Sequence, residues 1–316
     1  DLALRTIDLA FAESAALDIS FFGGEPLLEY DLLIECARHA RSLEAAEAGR
    51  VLRLQVTTNG VLLTAERLEA LRALGVLVTL SLDGVRAAHE SGRPNVGGGS
   101  SFDAVVKAAS LLASSENGLD VISVVTPKNI PYLAESVRFV ASLGARSIML
   151  NPAWEQPFDD ETLVRWEAEL EQVGAFWAEA RGEGRELAIV TFDRKVLAAA
   201  RGGLSATEHC SVGSRNIAVA PSGNIYPCER LVADDRQSRF VIGTIAEGLP
   251  PRGHAFPRGP ADAECEPCPE RFRCSASCAC ANLAETDTTD LPGATQCWYE
   301  QTTARIADEA ALKLVE

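Results

Sequence analysis

Between residues 4 and 150 short apolar runs and amphipathic helical segments take turns along the chain, and that alternation leaves few folds open. Residues 4–13 have helical spacing and residues 17–22 read as a strand. A helix is expected over 30–43, a strand over 52–57, and a helix over 64–74 capped by Thr64 and stopped at Gly75. A strand over 76–81 follows, then a glycine-rich loop over 92–99 and a helix over 102–113. A strand over 121–125, a helix over 132–143 ending at Gly144 and a strand over 147–150 complete the series. Such alternation means parallel strands joined by right-handed crossovers, open or curled into a barrel. In either form a ligand site lies at the C-terminal ends of the strands.

Residues 151–205 break the alternation and read as mostly helical, rich in Glu and Trp. From about His209 the texture changes to cysteine, proline and glycine. Residues 216–220 and 225–227, around a turn containing Gly223, read as a hairpin, and 300–315 as a closing helix. Eight of the nine cysteines lie here: Cys210, Cys228, Cys265, Cys268, Cys274, Cys278, Cys280 and Cys297. Thiols this closely grouped in a globular sequence usually hold a metal, and zinc and iron–sulfur both stay open on spacing alone. The clustering also speaks for a reducing compartment rather than scattered disulfide staples. Cys36, alone on an expected helix, reads as a buried structural thiol.

The net charge of −16 argues against a nucleic-acid partner held through its phosphates. No apolar run is long enough to span a bilayer. A cytoplasmic location and no membrane partner are the expectation. The four histidines show no paired spacing, and Trp154, Trp166 and Trp177 read as packing residues.

The residues just past the strands carry the most information. Gly23-Gly24-Glu25-Pro26 follows the first, Thr57-Thr58-Asn59-Gly60 the second and Ser81-Leu82-Asp83-Gly84 the third. Two glycines let another molecule approach the backbone, and Glu25 offers a carboxylate to an ammonium group. Each segment alone is a possible turn; three on one rim favour a site.

These residues resemble the radical S-adenosylmethionine (SAM) superfamily, specifically members with a C-terminal SPASM domain, such as anaerobic sulfatase maturases and peptide-modifying enzymes. Gly23-Gly24-Glu25-Pro26 is similar to the family's SAM-binding motif, and Asn59, Ser81 and Arg93 match further SAM-binding positions. The cysteine spacing, with Gly223 five residues before Cys228, resembles the seven-cysteine SPASM pattern. The resemblance implies a partial (β/α) barrel lacking its first strand over residues 1–205, with a helical connector at 151–205. A SPASM iron–sulfur domain would occupy residues 206–316. Cys265, Cys268, Cys274 and Cys297 would bind one auxiliary [4Fe–4S] cluster. Cys210, Cys228 and Cys278 would bind another, one ligand short, with Cys280 or an open iron completing it. Glu229 occupies the place of a catalytic acid in sulfatase maturases, as a proton acceptor.

The implied reaction is modification of a peptide or protein through a 5'-deoxyadenosyl radical, with electrons from a reductant such as a flavodoxin or ferredoxin. Radical SAM enzymes carry a Cys-x3-Cys-x2-Cys loop before Gly-Gly-Glu-Pro. Only 22 residues precede Gly23 here and none is cysteine. The expectation is therefore a fragment of a longer active enzyme or a natural chain that has lost the radical step. A non-catalytic iron–sulfur protein that relays electrons or binds a peptide, and a zinc-stabilised binding module, are the alternatives.

Overall fold

A computed structural model describes residues 2–93, 98–205, 208–235, 239–250, 265–275 and 278–314. The middle of the expected glycine-rich loop and the domain boundary at 206 lie outside the described residues. Six strands form one parallel sheet in sequence order: β1 (Ala16–Phe21), β2 (Val51–Thr58), β3 (Val76–Ser81), β4 (Leu119–Val125), β5 (Ala145–Pro152) and β6 (Ala188–Ile189). The helices α1 to α8 stand before and between them and just after β6: α1 (Leu2–Glu13), α2 (Tyr30–Ala46), α3 (Ala65–Ala73), α4 (Arg86–Gly92), α5 (Phe102–Ala113), α6 (Leu133–Ser142), α7 (Asp160–Gly182) and α8 (Val190–Arg201). A three-stranded antiparallel sheet follows, of β7 (Ala218–Val219), β8 (Asn224–Tyr226) and β9 (Gly243–Thr244). Two helices close the chain, α9 (Ala279–Thr286) and α10 (Ala294–Leu312).

Parallel pairing fixes the period-two pattern. On β2, Leu52, Leu54 and Val56 are buried, while Arg53 and Gln55 between them are not. On β4 every second residue from Leu119 to Val125 is buried. Most of the alternate residues of β2, β3 and β4 remain partly exposed, so among the described residues the helices close one face of these strands more fully than the other.

The chain groups into two compact units: Asp1–Thr58, Leu62–Val78 and Cys210–Gly259 form the first, and Asn59–Val61, Thr79–His209 and Pro260–Glu316 the second. In the first unit, Arg41 of α2 ties the entry of β2 to the end of α3. Its guanidinium donates to Leu74 O, Leu52 O and Gly75 O, and pairs with Glu44, which in turn accepts from Leu52 N. In the second unit α10 packs on α7 and α8. At Gly174 of α7 the two helices leave no room for a side chain, because a Cβ there would stand 2.4 Å from Ile306 Cγ2 of α10.

Gly84 closes the turn after β3 with φ of +116°, and a Cβ there would stand 1.9 Å from Ser136 Cβ. Both the backbone angle and the space demand glycine. Gly84→Ala is expected to lower the unfolding free energy by about 3 kcal/mol, read by urea denaturation; a loss below about 0.5 kcal/mol, the range of a neutral surface change, would show that the turn is not so constrained.

Candidate cofactor-binding rim and cysteine segments

Past β1 the chain runs out through Gly23, at φ of +140°, and Gly24. Both are exposed, and a Cβ built on either meets no atom within 4 Å. Glu25 then caps a short 3-10 helix, Pro26–Glu29, whose proline sits where a missing N–H costs nothing. The Oε1 atom of Glu25 accepts from Leu27 N at 2.9 Å and from the buried Thr58 Oγ1 at 2.8 Å. Arg67 braces the same turn, donating to Leu27 O and Leu62 O and stacking over the Tyr30 ring. The outcome is an open strip of glycine backbone beside a carboxylate held from two sides. Chemically that suits a small ligand that presents an ammonium group.

In the second unit the rim begins at Asn59, whose Oδ1 accepts from Val61 N in a tight turn. Ser81, half-buried, ends β3. Two residues on, Asp83 is buried, and its carboxylate accepts from three donors: Arg93 Nε at 2.7 Å, Arg93 Nη2 at 2.9 Å and Val124 N at 2.9 Å. Arg93, expected from the sequence to face a ligand, thus spends one edge of its guanidinium on Asp83, in a bidentate pair that fixes its plane. Asp83 lies in the third rim segment, but nothing in the spacing pairs it with Arg93, ten residues on across α4. Within the same cluster His89 is fully buried. Its Nδ1 accepts weakly from Asp83 N at 3.5 Å, and its Nε2 lies 3.0 Å from Ser101 Oγ. Burial holds the imidazole below its ordinary pKa, against the partly opposing pull of the Asp83 charge.

The cysteines fall on both units. In the first, Gly223 turns the β7–β8 hairpin with φ of +90°, and a Cβ there would stand 3.2 Å from Leu2 Cδ1 of α1. Cys228 follows β8 and is buried. Glu229 opens a short 3-10 helix, is exposed, and accepts from Cys228 Sγ at 3.3 Å. In the second unit, Cys268 N donates to Cys265 O in a turn, and Cys274 follows the short 3-10 helix Arg271–Arg273. Cys278 caps α9, Cys280 is buried on that helix, and Cys297 stands in the first turn of α10. Among the described residues no three or more His, Cys, Asp or Glu side chains are gathered so as to hold a metal ion. Directly after Cys297, Trp298 and Tyr299 join Trp166, Phe158 and Trp154 in one aromatic cluster, so the tryptophans at 154 and 166 are packing residues.

Residues 1–140 match the Radical SAM superfamily. Over 283 residues, 85% of the chain, the sequence is 24% identical to the serine-type anaerobic sulfatase-maturating enzyme of Klebsiella aerogenes and spans 69% of that protein. It is 28% identical over 146 residues, 46% of the chain, to an uncharacterized protein of Methanocaldococcus jannaschii, of which it spans 50%. Among solved structures, native anSMEcpe with bound AdoMet superposes with a TM-score of 0.80 at 18% identity, covering 99% of this chain and 88% of that one. The same protein with AdoMet and the Kp18Cys peptide gives 0.79, at 18% identity, over 99% of this chain and 89% of that one. At 18% identity these likenesses show a shared fold, and the sequence is similar to sulfatase maturases.

His89 carries a pH dependence whose sign follows from its burial. The folded state holds it neutral below the ordinary value of 6.5, while the unfolded chain protonates near that value. Its contribution is therefore complete above about pH 6.5 and is lost as the pH falls below it. Between pH 6.5 and 5.5 the native chain is expected to lose more stability than His89→Gln, by up to about 1 kcal/mol, measured by urea unfolding at each pH. Equal losses in the two proteins would rule this out.

Proposed function

We propose that this chain is a radical SAM enzyme, or the C-terminal greater part of one, that modifies a peptide or protein, with its cysteine segments holding two auxiliary [4Fe–4S] clusters. The observation that carries the reading is the open Gly23-Gly24 strip beside the doubly held Glu25, inside the stretch that matches the superfamily. A cradle left empty by two glycines fits a ligand pressed against the backbone, and the carboxylate suits the amino group of SAM. In this reading residues 1–205 are the barrel part and residues 206–316 the SPASM domain.

Each residue has a defined task. Glu25 accepts from the ligand ammonium while Thr58 and Leu27 N keep its carboxylate from turning away. Gly23 and Gly24 offer their peptide groups, and Pro26 fixes the exit of the turn. Asn59 and Ser81 supply short polar contacts. Asp83 offsets the charge of Arg93 and sets its orientation, so that Nη1 is the nitrogen left to meet a ligand carboxylate. Glu229 takes up a proton from the substrate at its exposed position. The donor chemistry of the cysteine segments fits iron–sulfur ligation: Cys265, Cys268, Cys274 and Cys297 for one cluster, and Cys210, Cys228 and Cys278 for the other. When bound, SAM and the clusters supply the radical and electron-transfer chemistry. The sequence contains no Cys-x3-Cys-x2-Cys, so the radical step is proposed for a chain that carries that loop. A peptide substrate, a flavodoxin- or ferredoxin-like reductant and a cytoplasmic location complete the proposal. No helix among the described residues is long and apolar enough to cross a membrane.

Two measurements test the reading. Titration calorimetry with SAM is expected to show binding that Glu25→Gln weakens by about 10- to 100-fold, the loss of one charge-assisted hydrogen bond. Unchanged affinity in a folded variant removes Glu25 from the site. Anaerobic reconstitution is expected to give about eight iron and eight sulfide per chain, two four-iron clusters' worth. Zinc without acid-labile sulfide would overturn the cluster assignment.

A further inference from the structure

A second set of buried charges lies in the second unit. Lys195 of α8 and Glu300 of α10 form an ion pair whose side chains are 6% and 5% exposed. Both reach beyond each other to the same short segment of chain. Lys195 Nζ donates to Arg273 O at 3.1 Å. Glu300 accepts from Ser275 N at 2.7 Å and from Ser275 Oγ at 2.6 Å. The residue enclosed by these contacts is Cys274. Further anchors flank it: Arg273 makes a bidentate pair with Asp308 of α10 at 2.6 Å, and Leu204 N donates to Phe272 O at 2.9 Å.

Stability alone does not explain this arrangement. Desolvating two charges costs roughly what their attraction returns, and well-packed apolar residues hold helices together as well or better. A Met–Leu pair would hold α8 against α10. It could not accept from Ser275 N or donate to Arg273 O. The polar pair therefore secures the backbone on both sides of one cysteine. Glu300 also lies three residues after Cys297 on α10, and residues at that spacing share a helix face. Burial resists the ionisation of Glu300 most strongly, but Lys195 and the Ser275 donors outweigh it and hold the carboxyl below its ordinary pKa.

We infer that Lys195 and Glu300 are positioning residues that fasten Cys274 to the face of α10 carrying Cys297, setting two ligands of one auxiliary cluster in place before metal arrives. The inference rests on reading those two cysteines as cluster ligands.

The test uses the metal-free full chain. Each cysteine's alkylation rate is followed by peptide mass mapping, with the buried Cys36 reporting any global unfolding. In Lys195→Met/Glu300→Gln, which removes both charges and keeps the volumes close, Cys274 is expected to react about tenfold faster while Cys36 stays protected. An unchanged Cys274 rate with Cys36 still protected overturns the inference. Should Cys36 also open, Ser275→Ala decides, because it leaves the ion pair and its helix packing intact. Faster alkylation of Cys274 at an unchanged Tm is expected there, and no acceleration overturns the inference. Iron and sulfide uptake by the unaltered chain is read separately. Failure of uptake would sink the cluster reading alone, whereas the alkylation rates judge the positioning role by themselves.

Discussion

A parallel sheet cannot turn back on itself, and everything else in this chain follows from that restriction. Each strand from β1 to β5 must hand over to a crossover before the next can pair, so every strand ends at the same edge of the sheet. The helices take the buried side chains of one face, leaving Gln55, Ser81 and Ile122 only partly covered on the other. The loops leaving that edge are where the chain abandons apolar periodicity for glycine, Asn, Asp and Glu. A rim suited to a polar ligand is thus a by-product of strand direction, before any particular residue is chosen.

The residues that are chosen show a common device. Glu25 gathers a hydroxyl and a backbone amide, and Asp83 gathers a guanidinium edge and a backbone amide. Each carboxylate has been given enough donors to remain where the chain turns, which is what a buried or half-buried anion requires. Arg93 inherits its orientation from Asp83. The orientation of that guanidinium is therefore set by an anion that a ligand need not touch.

Much of this was legible in sequence, and the gaps have physical causes. Strand β3 and helix α5 coincide with their expected limits, because Gly75 marks one boundary and strong apolar periodicity the other. Helix α4 stands where the sequence pattern assigns no element, between the strand over 76–81 and the loop over 92–99. It is seven residues long with no side-chain cap, and Ala88 and His89 are buried in tertiary contacts no local pattern encodes. Helix α10 begins at Ala294 rather than near 300, because the Glu285 carboxylate accepts from Thr295 N and Gln296 N and so caps its first turn from another helix. Strand β6 is two residues long, below what alternation can reveal. The glycine pair and the cysteines announce themselves by spacing. The Lys195–Glu300 pair, joining residues 105 apart in sequence, does not.

The cysteine segments pose a folding problem that the same device solves. Such stretches are rich in short and polar residues, with few large apolar side chains to seat them. In the first unit, Asp235 accepts from Ser222 N and Oγ, Asn224 Nδ2 and Tyr226 Oη, fastening the hairpin two residues before Cys228. In the second, Glu300 and Lys195 fasten the backbone on either side of Cys274. Both anchors act on groups within a few residues of a cysteine, and the hydrogen bonds fix where that stretch of backbone stands. Apolar packing would have fixed the segments only approximately, since it is non-directional, whereas a carboxylate with several donors admits one arrangement of the chain.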